Sequence, residues 1–318
     1  MTFSIVARDP DRDAVGVAVH SKFISVGSVV PFAAADAGAI ATQSFANVAY
    51  GPDGLDLLRE GHTAEETIAE LTTVDDEAAS RQVGVVGADG SVAGYTGDDC
   101  FDVADDLQGD TYTVQGNILE NHETLTAMAD AYEETDGGLP ERLLAALQAG
   151  NEAGGDSRGE QSAALYVVKP DGGYDGKNDR WIDVRVDDHE DPIDELERVF
   201  KLYDVTLLAR EEPAELRELD GETAVAVADT LADLGFLGRS DESGAADASA
   251  SDASDSDFGE TEREALEDFR GLNNFENHSL AVVEDALARG WSETDPDDDG
   301  ETRMVDALWH GLSRLDRE

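Results

Sequence analysis

The opening of the chain, MTFSIVARDPDRDAVGVAVHS, holds two strand-like segments joined by a turn. In the first segment Phe3, Ile5 and Ala7 share one face, in the period of two that a strand requires. The run AVGVAV at 14–19 is continuously apolar, which is typical of a strand covered on both faces. A chain that opens in this way needs a sheet with packed layers on either side of it.

Strand-like and helix-like segments alternate up to about residue 205. Between the third strand and the next hairpin, two short helices are predicted, the second starting at Thr63 with Glu66 in capping-box spacing. The order of strands, helices, strands and a helix favours an α+β fold over a repeated βαβ array. Besides the opening pair, strands are predicted at 38–45, 81–97 (a hairpin), 112–119, 162–170 and 181–188, and helices at 121–134, 139–151 and 192–203.

Composition then divides the rest of the chain. The stretch 238–259 consists almost entirely of Ser, Ala, Asp and Gly, which cannot bury a core, so it is predicted to be a disordered linker. Residues 260–318 carry helical periodicity and open with a capping box at Thr261 and Glu264. We therefore predict a first domain at 1–237, which ends with the helix ETAVAVADTLADLGF, and a small helical module at 260–318.

The charge excludes some classes of partner. The chain has 73 acidic and 22 basic residues, a formal net charge of −51. Such a surface repels nucleic acids and anionic membranes, and its even spread is typical of proteins from a salt-rich cytosol. No secretory signal or membrane-length apolar run is present, which predicts a cytoplasmic protein. A single cysteine, Cys100, excludes an intramolecular disulfide and a cysteine-rich metal site.

Thr2 gives the early strand a chemical interpretation. Because Met1 precedes a small residue, its removal would expose a threonine with both a hydroxyl nucleophile and an α-amine. That amine titrates near pH 8 and can serve as general base for its own hydroxyl. The alternative is that Thr2 only begins a strand.

Other polar residues are candidates for the same site. The second strand ends in His20, Ser21 and Lys22, and an ammonium there would lower the pKa of the amine–hydroxyl pair. Each of these residues also has an ordinary structural interpretation. Neutral amides suited to orienting an amide or oxyanion lie near strand ends, at Gln43, Asn47, Gln115 and Asn117.

Several blocks of the chain together resemble the domain-of-unknown-function 1028 (DUF1028) family. They include GVAVHSKFISVGSVVPFA, GAIATQSFANVAYGPDGLDLL, YTVQGNIL and GGDSRGEQSAALYVV, in the same order over about residues 1–205. The resemblance implies the N-terminal-nucleophile (Ntn) hydrolase superfamily: a four-layer αββα sandwich with two antiparallel sheets, and amide hydrolysis by a terminal Thr, Ser or Cys. No cofactor is implied. Some members of the family bear a label that links them to pilus assembly.

The resemblance also suggests roles for particular residues. Thr2 matches the nucleophile, and Lys22 resembles the basic residue kept beside it, although His20 and Ser21 stand where several superfamily enzymes have an aspartate. In GGDSRGEQS, Asp156 and Arg158 are suited to pairing. Arg158 would then either grip a substrate carboxylate or lock a loop.

The sequence also has two acidic runs that resemble metal sites, and a helical module with a resemblance of its own. The run of Asp187, Asp188 and His189 favours a loop that caps a helix over a metal site. Asp295–Asp306 matches the start of a calcium loop, but so acidic a chain produces such matches by chance. FRGLNNFENHS and GWSETDP resemble a peptidoglycan-binding appendage, which does not identify the module's partner. The small-residue strands are compatible with a homodimer.

Two hypotheses follow. In the first, the protein is an amidohydrolase that uses Thr2 on a small-molecule amide. In the second, it keeps the fold as a non-catalytic scaffold or cell-surface assembly factor, which the flexible linker would suit. Removal of Met1 and reactivity of Thr2 separate the two.

Overall fold

The computed structural model describes residues 2–101, 103–237 and 258–317. The predicted linker at 238–259 lies outside these ranges except for Phe258 and Gly259. The chain divides into two compact units, Met1–Val199 and Phe200–Glu318. The boundary between the two units lies between Val199 and Phe200, whereas the sequence predicts that the first domain ends at residue 237.

The first unit is built on two antiparallel sheets, as the sequence predicts. The larger sheet has the order β10-β9-β2-β1-β8-β7 and the smaller one β3-β4-β5-β6. The strands in the described residues are β1 (Thr2–Asp9), β2 (Ala14–Ser21), β3 (Pro31–Ala34), β4 (Gly38–Ser44), β5 (Arg81–Gly87), β6 (Val92–Thr96), β7 (Asp105–Gln108), β8 (Tyr112–Asn117), β9 (Ser162–Val168) and β10 (Arg180–Val186).

Helices of the first unit cover the outer faces of both sheets. The helices in the described residues are α1 (Tyr50–Arg59), α2 (Ala64–Thr73), α3 (Glu123–Glu134), α4 (Leu139–Glu152), α5 (Pro192–Leu207), α6 (Gly221–Asp233), α7 (Glu260–Leu272), α8 (Leu280–Gly290) and α9 (Gly300–Leu312). Helix α4 packs on β1, where its Gly150 faces the ring of Phe3. On the smaller sheet, Leu55 of α1 and Ile68 of α2 share a core with Val83. The first unit is therefore the predicted four-layer αββα sandwich.

The space between the two sheets is apolar at one end and polar at the other. Val6, Val17 and Val86 belong to a buried apolar cluster between the sheets. Towards the start of β1 the inward-facing residues become Ser4 and Thr2. Because a polar core requires hydrogen-bond partners, this end of the sandwich is where a chemical site is expected.

The second unit is helical and has its own core. Val227 of α6, Phe269 of α7 and Leu308 of α9 lie in one buried cluster. Helix α6, which the sequence analysis assigns to the first domain, therefore packs with the C-terminal helices. The apolar face of α6 has the same helical period whichever unit it belongs to, so the period alone does not show which residues cover that face.

Some local predictions differ from the structure. Strands β3 and β7 were not predicted, because each has only four residues and neither alternates cleanly. Helix α7 is preceded by Gly259, whose N–H donates to the side chain of Glu262, and the predicted capping box of Thr261 and Glu264 is not formed. Phe258 is buried in the core of the second unit instead of belonging to a linker. The capping box at Thr63 and Glu66 is confirmed.

Candidate active site

A cavity of about 400 Å³ opens at the polar end of the sandwich. Thr2 lies in its wall, at the start of β1 and between the ends of β2 and β8. Central strands are held by ladders on both sides, so the first residue of the described chain is fixed in position. The walls are formed by Thr2, Ser21, Phe23, Val26, Val29, Val30, Gln43, Ser44, Phe45, Ala46, Arg81 and Arg158.

The hydroxyl of Thr2 is paired with a second hydroxyl. Thr2 and Ser21 are cross-strand partners, and their Oγ atoms lie 3.0 Å apart, with either able to donate. Thr2 is 8% exposed and Ser21 is fully buried. Each hydroxyl can donate and accept, so Ser21 can receive or return a proton at Thr2.

Buried amides support the floor of the cavity. Nε2 of Gln43 donates to Oε1 of Gln82 (2.8 Å) and to the carbonyl oxygen of Thr2 (3.3 Å). Nδ2 of Asn117 donates to the same oxygen of Gln82 at 2.8 Å, and Nε2 of Gln82 donates to the carbonyl oxygen of Gly116 at 2.8 Å. These bonds connect the two sheets and fix the backbone of Thr2.

A second group of buried polar residues lies next to these amides and does not line the cavity. Oγ of Ser4 donates to Oε1 of Gln43 at 2.7 Å, and Nε2 of Gln115 donates to Oγ of Ser4 at 2.5 Å. Opposite them, Gly84 has no room for a side chain, since an added Cβ would lie 2.1 Å from Oε1 of Gln115. Gln115 and Asn117 are thus structural hydrogen-bonding groups and do not line the cavity.

Ser44 is a polar wall residue that the sequence analysis missed. It ends β4 in the left-handed region, with φ of 69°. Its hydroxyl is buried and has no hydrogen-bond partner among the described residues. A buried hydroxyl without a partner costs free energy unless a ligand satisfies it. The signal in the sequence is only a serine between Gln43 and Phe45, too common to single out.

Two arginines line the cavity. Arg158 is held by Asp156, which accepts from its backbone N–H at 2.9 Å and from its Nη2 at 3.3 Å. Asp156 also accepts from the N–H of Lys22 at 2.9 Å. Arg81 is bound to Asp75 at 2.9 Å and donates to the carbonyl oxygen of Phe45 at 2.5 Å. The predicted pairing of Asp156 with Arg158 is present.

The remaining candidates lie away from the cavity. Lys22 is exposed, and its Nζ donates to the carbonyl oxygen of Glu160 at 2.7 Å. Lys22 follows the last residue of β2 and is not among the residues that line the cavity. His20 stacks on Phe3, with ring centroids 4.7 Å apart, beneath the helix layer. Asn47 donates to Asp75 at 3.2 Å and so belongs to the support of Arg81.

Comparison with known proteins places the first unit in a family. Residues 2–196 match the family model described as "Family of unknown function (DUF1028)". The chain belongs to the DUF1028 family. This DUF1028 protein is 31% identical to protein SPO2555 from Silicibacter pomeroyi, whose crystal structure is assigned to the same family. The two structures agree with a TM-score of 0.59 over 64% of this chain and 89% of that one.

The second unit has a match of its own. Residues 206–299 match the family model described as "Putative peptidoglycan binding domain". A search of curated proteins finds no match to this DUF1028 protein. Among the residues that the structure describes, no helix combines the length and hydropathy that crossing a bilayer would require.

The acidic runs at 187–189 and 295–306 of this DUF1028 protein form local hydrogen bonds and part of a helix. Nδ1 of His189 accepts the N–H of Asp191 in the loop that precedes α5. Asp299 caps α9, and Asp306 lies within that helix, 3.6 Å from Nζ of Lys201. The second half of the calcium-loop match is therefore helical. No cluster of three metal-ligating side chains occurs within 2–101, 103–237 and 258–317.

His20 gives this DUF1028 protein an expected pH dependence. The ring is buried, neither nitrogen has a hydrogen-bond partner in the described part of the chain, and burial lowers its pKa to about 4. Asp156 raises this pKa and Lys22 lowers it, both by less than burial does. The unfolded chain, with a histidine pKa near 6.5, binds the proton more readily than the folded one. His20 therefore disfavours folding as the pH falls from 6.5 to 4.

We expect this effect to reach about 3 kcal/mol at pH 4, since each pKa unit is worth about 1.4 kcal/mol. The free energy of unfolding of the first unit, measured by urea denaturation at constant salt, should decrease by that amount more in the wild type than in His20→Leu between pH 7 and pH 4. His122→Leu, at an exposed ring, is the control and should behave like the wild type. Identical pH profiles for the wild type and His20→Leu would contradict the assignment.

Proposed function

We propose that this protein is an amidohydrolase in which Thr2, exposed by removal of Met1, attacks the carbonyl carbon of a small amide. The observation that carries the proposal is the position of the Thr2 hydroxyl, in the wall of a cavity and 3.0 Å from the hydroxyl of Ser21. The cavity, at about 400 Å³, is in the range that small-molecule ligands occupy. The buried amides beneath Thr2 hold it in place, as a nucleophile requires.

The chemistry follows from the groups at residue 2. The α-amine, with a pKa near 8, takes the proton of the hydroxyl directly or through Ser21. The Oγ1–carbon bond forms, the carbon–nitrogen bond breaks, and the proton passes to the departing amine. Water then hydrolyses the acyl ester, with the same amine as base, and releases a carboxylic acid. Lys22 has no part in this scheme, because its ammonium binds the carbonyl oxygen of Glu160.

Ser44 is suited to stabilise the negative oxygen of the tetrahedral intermediate. Ser44 lines the cavity, and its buried hydroxyl has no hydrogen-bond partner in the described ranges. Gln43, an earlier candidate for this role, uses Nε2 for Gln82, Thr2 and Gln115. A donor already in place for the developing charge is typically worth a hundredfold or more in rate.

Mass spectrometry of the purified full-length protein tests the proposal. The intact mass should correspond to a chain that begins at Thr2. Exposure to a β-lactone should add the whole mass of the probe, because the hydroxyl opens the ring and forms an ester without a leaving group. The adduct should map to the peptide that begins with Thr2. Met1 retained on protein that hydrolyses amides would contradict the mechanism.

A further inference from the structure

The charge of the cavity is unlike that of the chain. Acidic residues make up 73 of 318, so nearly three of the twelve wall residues would be expected to carry a carboxylate. None does, while two are arginines. Two other cavities of the first unit mix the signs, one with Asp183 and Arg185 and one with Asp36, Asp179, Arg59 and Arg180. The side chains that line the cavity at Thr2 therefore include two cations and no carboxylate, and the acidic partners of the arginines, Asp156, Asp75 and Glu77, are not among the wall residues.

The contacts that hold the side chain of Arg158 suit it to bind an anion. Its side chain is 41% exposed and contacts Asp156, whose carboxylate is fully buried. Asp156 is in turn fixed by the N–H groups of Lys22 and Arg158. A guanidinium is a planar fork of donors that matches a carboxylate, and a fixed fork loses less entropy on binding. Arg81 differs, since its side chain is only 11% exposed and donates to Asp75, Glu77 and the carbonyl oxygen of Phe45.

Part of the wall is apolar. Val26, Val29 and Val30 line the cavity next to Thr2. At the rim Phe45 is 54% exposed and stacks on Phe101, with ring centroids 5.5 Å apart. Exposed aromatic rings beside a cavity supply apolar area that a ligand can cover. A ligand that reaches Thr2 would thus meet both a cation and apolar side chains in the wall of the cavity.

We propose that the substrate is an amide that carries both a carboxylate, bound by Arg158, and an apolar group, held against the valine wall and Phe45. An N-acylated apolar amino acid has this chemistry. The inference rests on the proposed function of Thr2 for the site at which the amide is cleaved, but the recognition itself requires no catalysis.

Binding to the full-length Thr2→Ala protein tests this recognition separately from turnover. The probes are N-acetyl-L-leucine and N-acetyl-L-leucinamide, which have nearly the same shape and differ in charge. Isothermal titration calorimetry at constant salt should give a dissociation constant for N-acetyl-L-leucine at least about tenfold lower than that for N-acetyl-L-leucinamide. N-acetylglycine, which lacks the apolar side chain, should bind about tenfold more weakly than N-acetyl-L-leucine.

Substitution of Arg158 should remove the preference for charge. In the Thr2→Ala background, Arg158→Gln should weaken binding of the acid by about 10- to 100-fold and leave the neutral amide within about twofold. Arg185→Gln, at an arginine that lines a different cavity, is the matched control and should leave both probes unchanged. Equal binding of the two probes, an unchanged affinity in Arg158→Gln, or no binding of the acid would each overturn the inference.

The test also separates this inference from the function on which it rests. If a β-lactone does not label Thr2 but the acid still binds through Arg158, the cavity is an acyl-amino-acid binding site without the proposed catalysis. If Thr2 is labelled and Arg158→Gln changes no dissociation constant, the catalytic proposal stands and the substrate class is wrong.

Discussion

Replacement of Thr2 with alanine is expected to reduce amide hydrolysis by at least about a thousandfold. The hydroxyl is the atom that forms the bond to the substrate, so its loss removes the reaction path rather than one stabilising contact. The fold should be unaffected, because the backbone of Thr2 is held by its strand partners Ser21 and Asn117 and by Nε2 of Gln43. The measurement is the turnover of N-acyl-leucines, with released leucine quantified.

Two matched variants show which feature of residue 2 matters. Thr2→Ser keeps both the hydroxyl and the α-amine, and its rate should stay within about tenfold of the wild type. A chain with an uncleaved extension in front of Thr2 keeps the hydroxyl but loses the free amine, and should be as inactive as Thr2→Ala. Thr2→Ala with wild-type turnover would exclude residue 2 as the nucleophile. An active extended chain would exclude the amine as the base.

Much of the fold could be predicted because the strands of the first unit have clear patterns. The apolar run at 14–19 requires cover on both faces, and the structure provides it with a second sheet and a helix layer. The four-residue strands β3 and β7 carry no such pattern and are strands only because a neighbour pairs with them. Helix α6 shows the same limit, since its apolar stripe does not say which unit it faces.

The candidate site was less predictable, because side-chain direction depends on register. Ser21 faces the cavity and Lys22 does not, although they are neighbours at the end of β2. Gln82 was overlooked in RQVGVVG, where its surroundings suggest an apolar strand, yet it accepts from Gln43 and Asn117. Such contacts join residues far apart in the chain. A single sequence indicates which residues are polar in a buried strand, and not which of them meet.

In the second unit, substitution of Asp204 is expected to give the largest loss of stability. Its carboxylate is fully buried and bonds to Nη2 of Arg210 at 2.5 Å and to Nη2 of Arg317 at 3.1 Å. Burial raises the pKa of Asp204, but the two guanidinium groups outweigh burial and hold it below its usual value. Asp204→Ala would leave buried positive charge without its counter-ion, at a cost of about 3–5 kcal/mol.

The experiment must report on the second unit alone, since two units need not unfold together. Trp291 and Trp309 belong to that unit, and Trp181→Phe removes the remaining tryptophan, so fluorescence in urea at constant salt follows the unfolding of the second unit.

Glu267→Gln removes an exposed ion pair with Arg270 in the same unit and should change the free energy of unfolding by less than about 1 kcal/mol. Asp204→Leu combined with Arg210→Met should be more stable than Asp204→Ala, because it removes one of the two guanidinium groups that Asp204→Ala leaves without a counter-ion. If Asp204→Ala costs no more than Glu267→Gln, the buried ion pairs do not hold the second unit together.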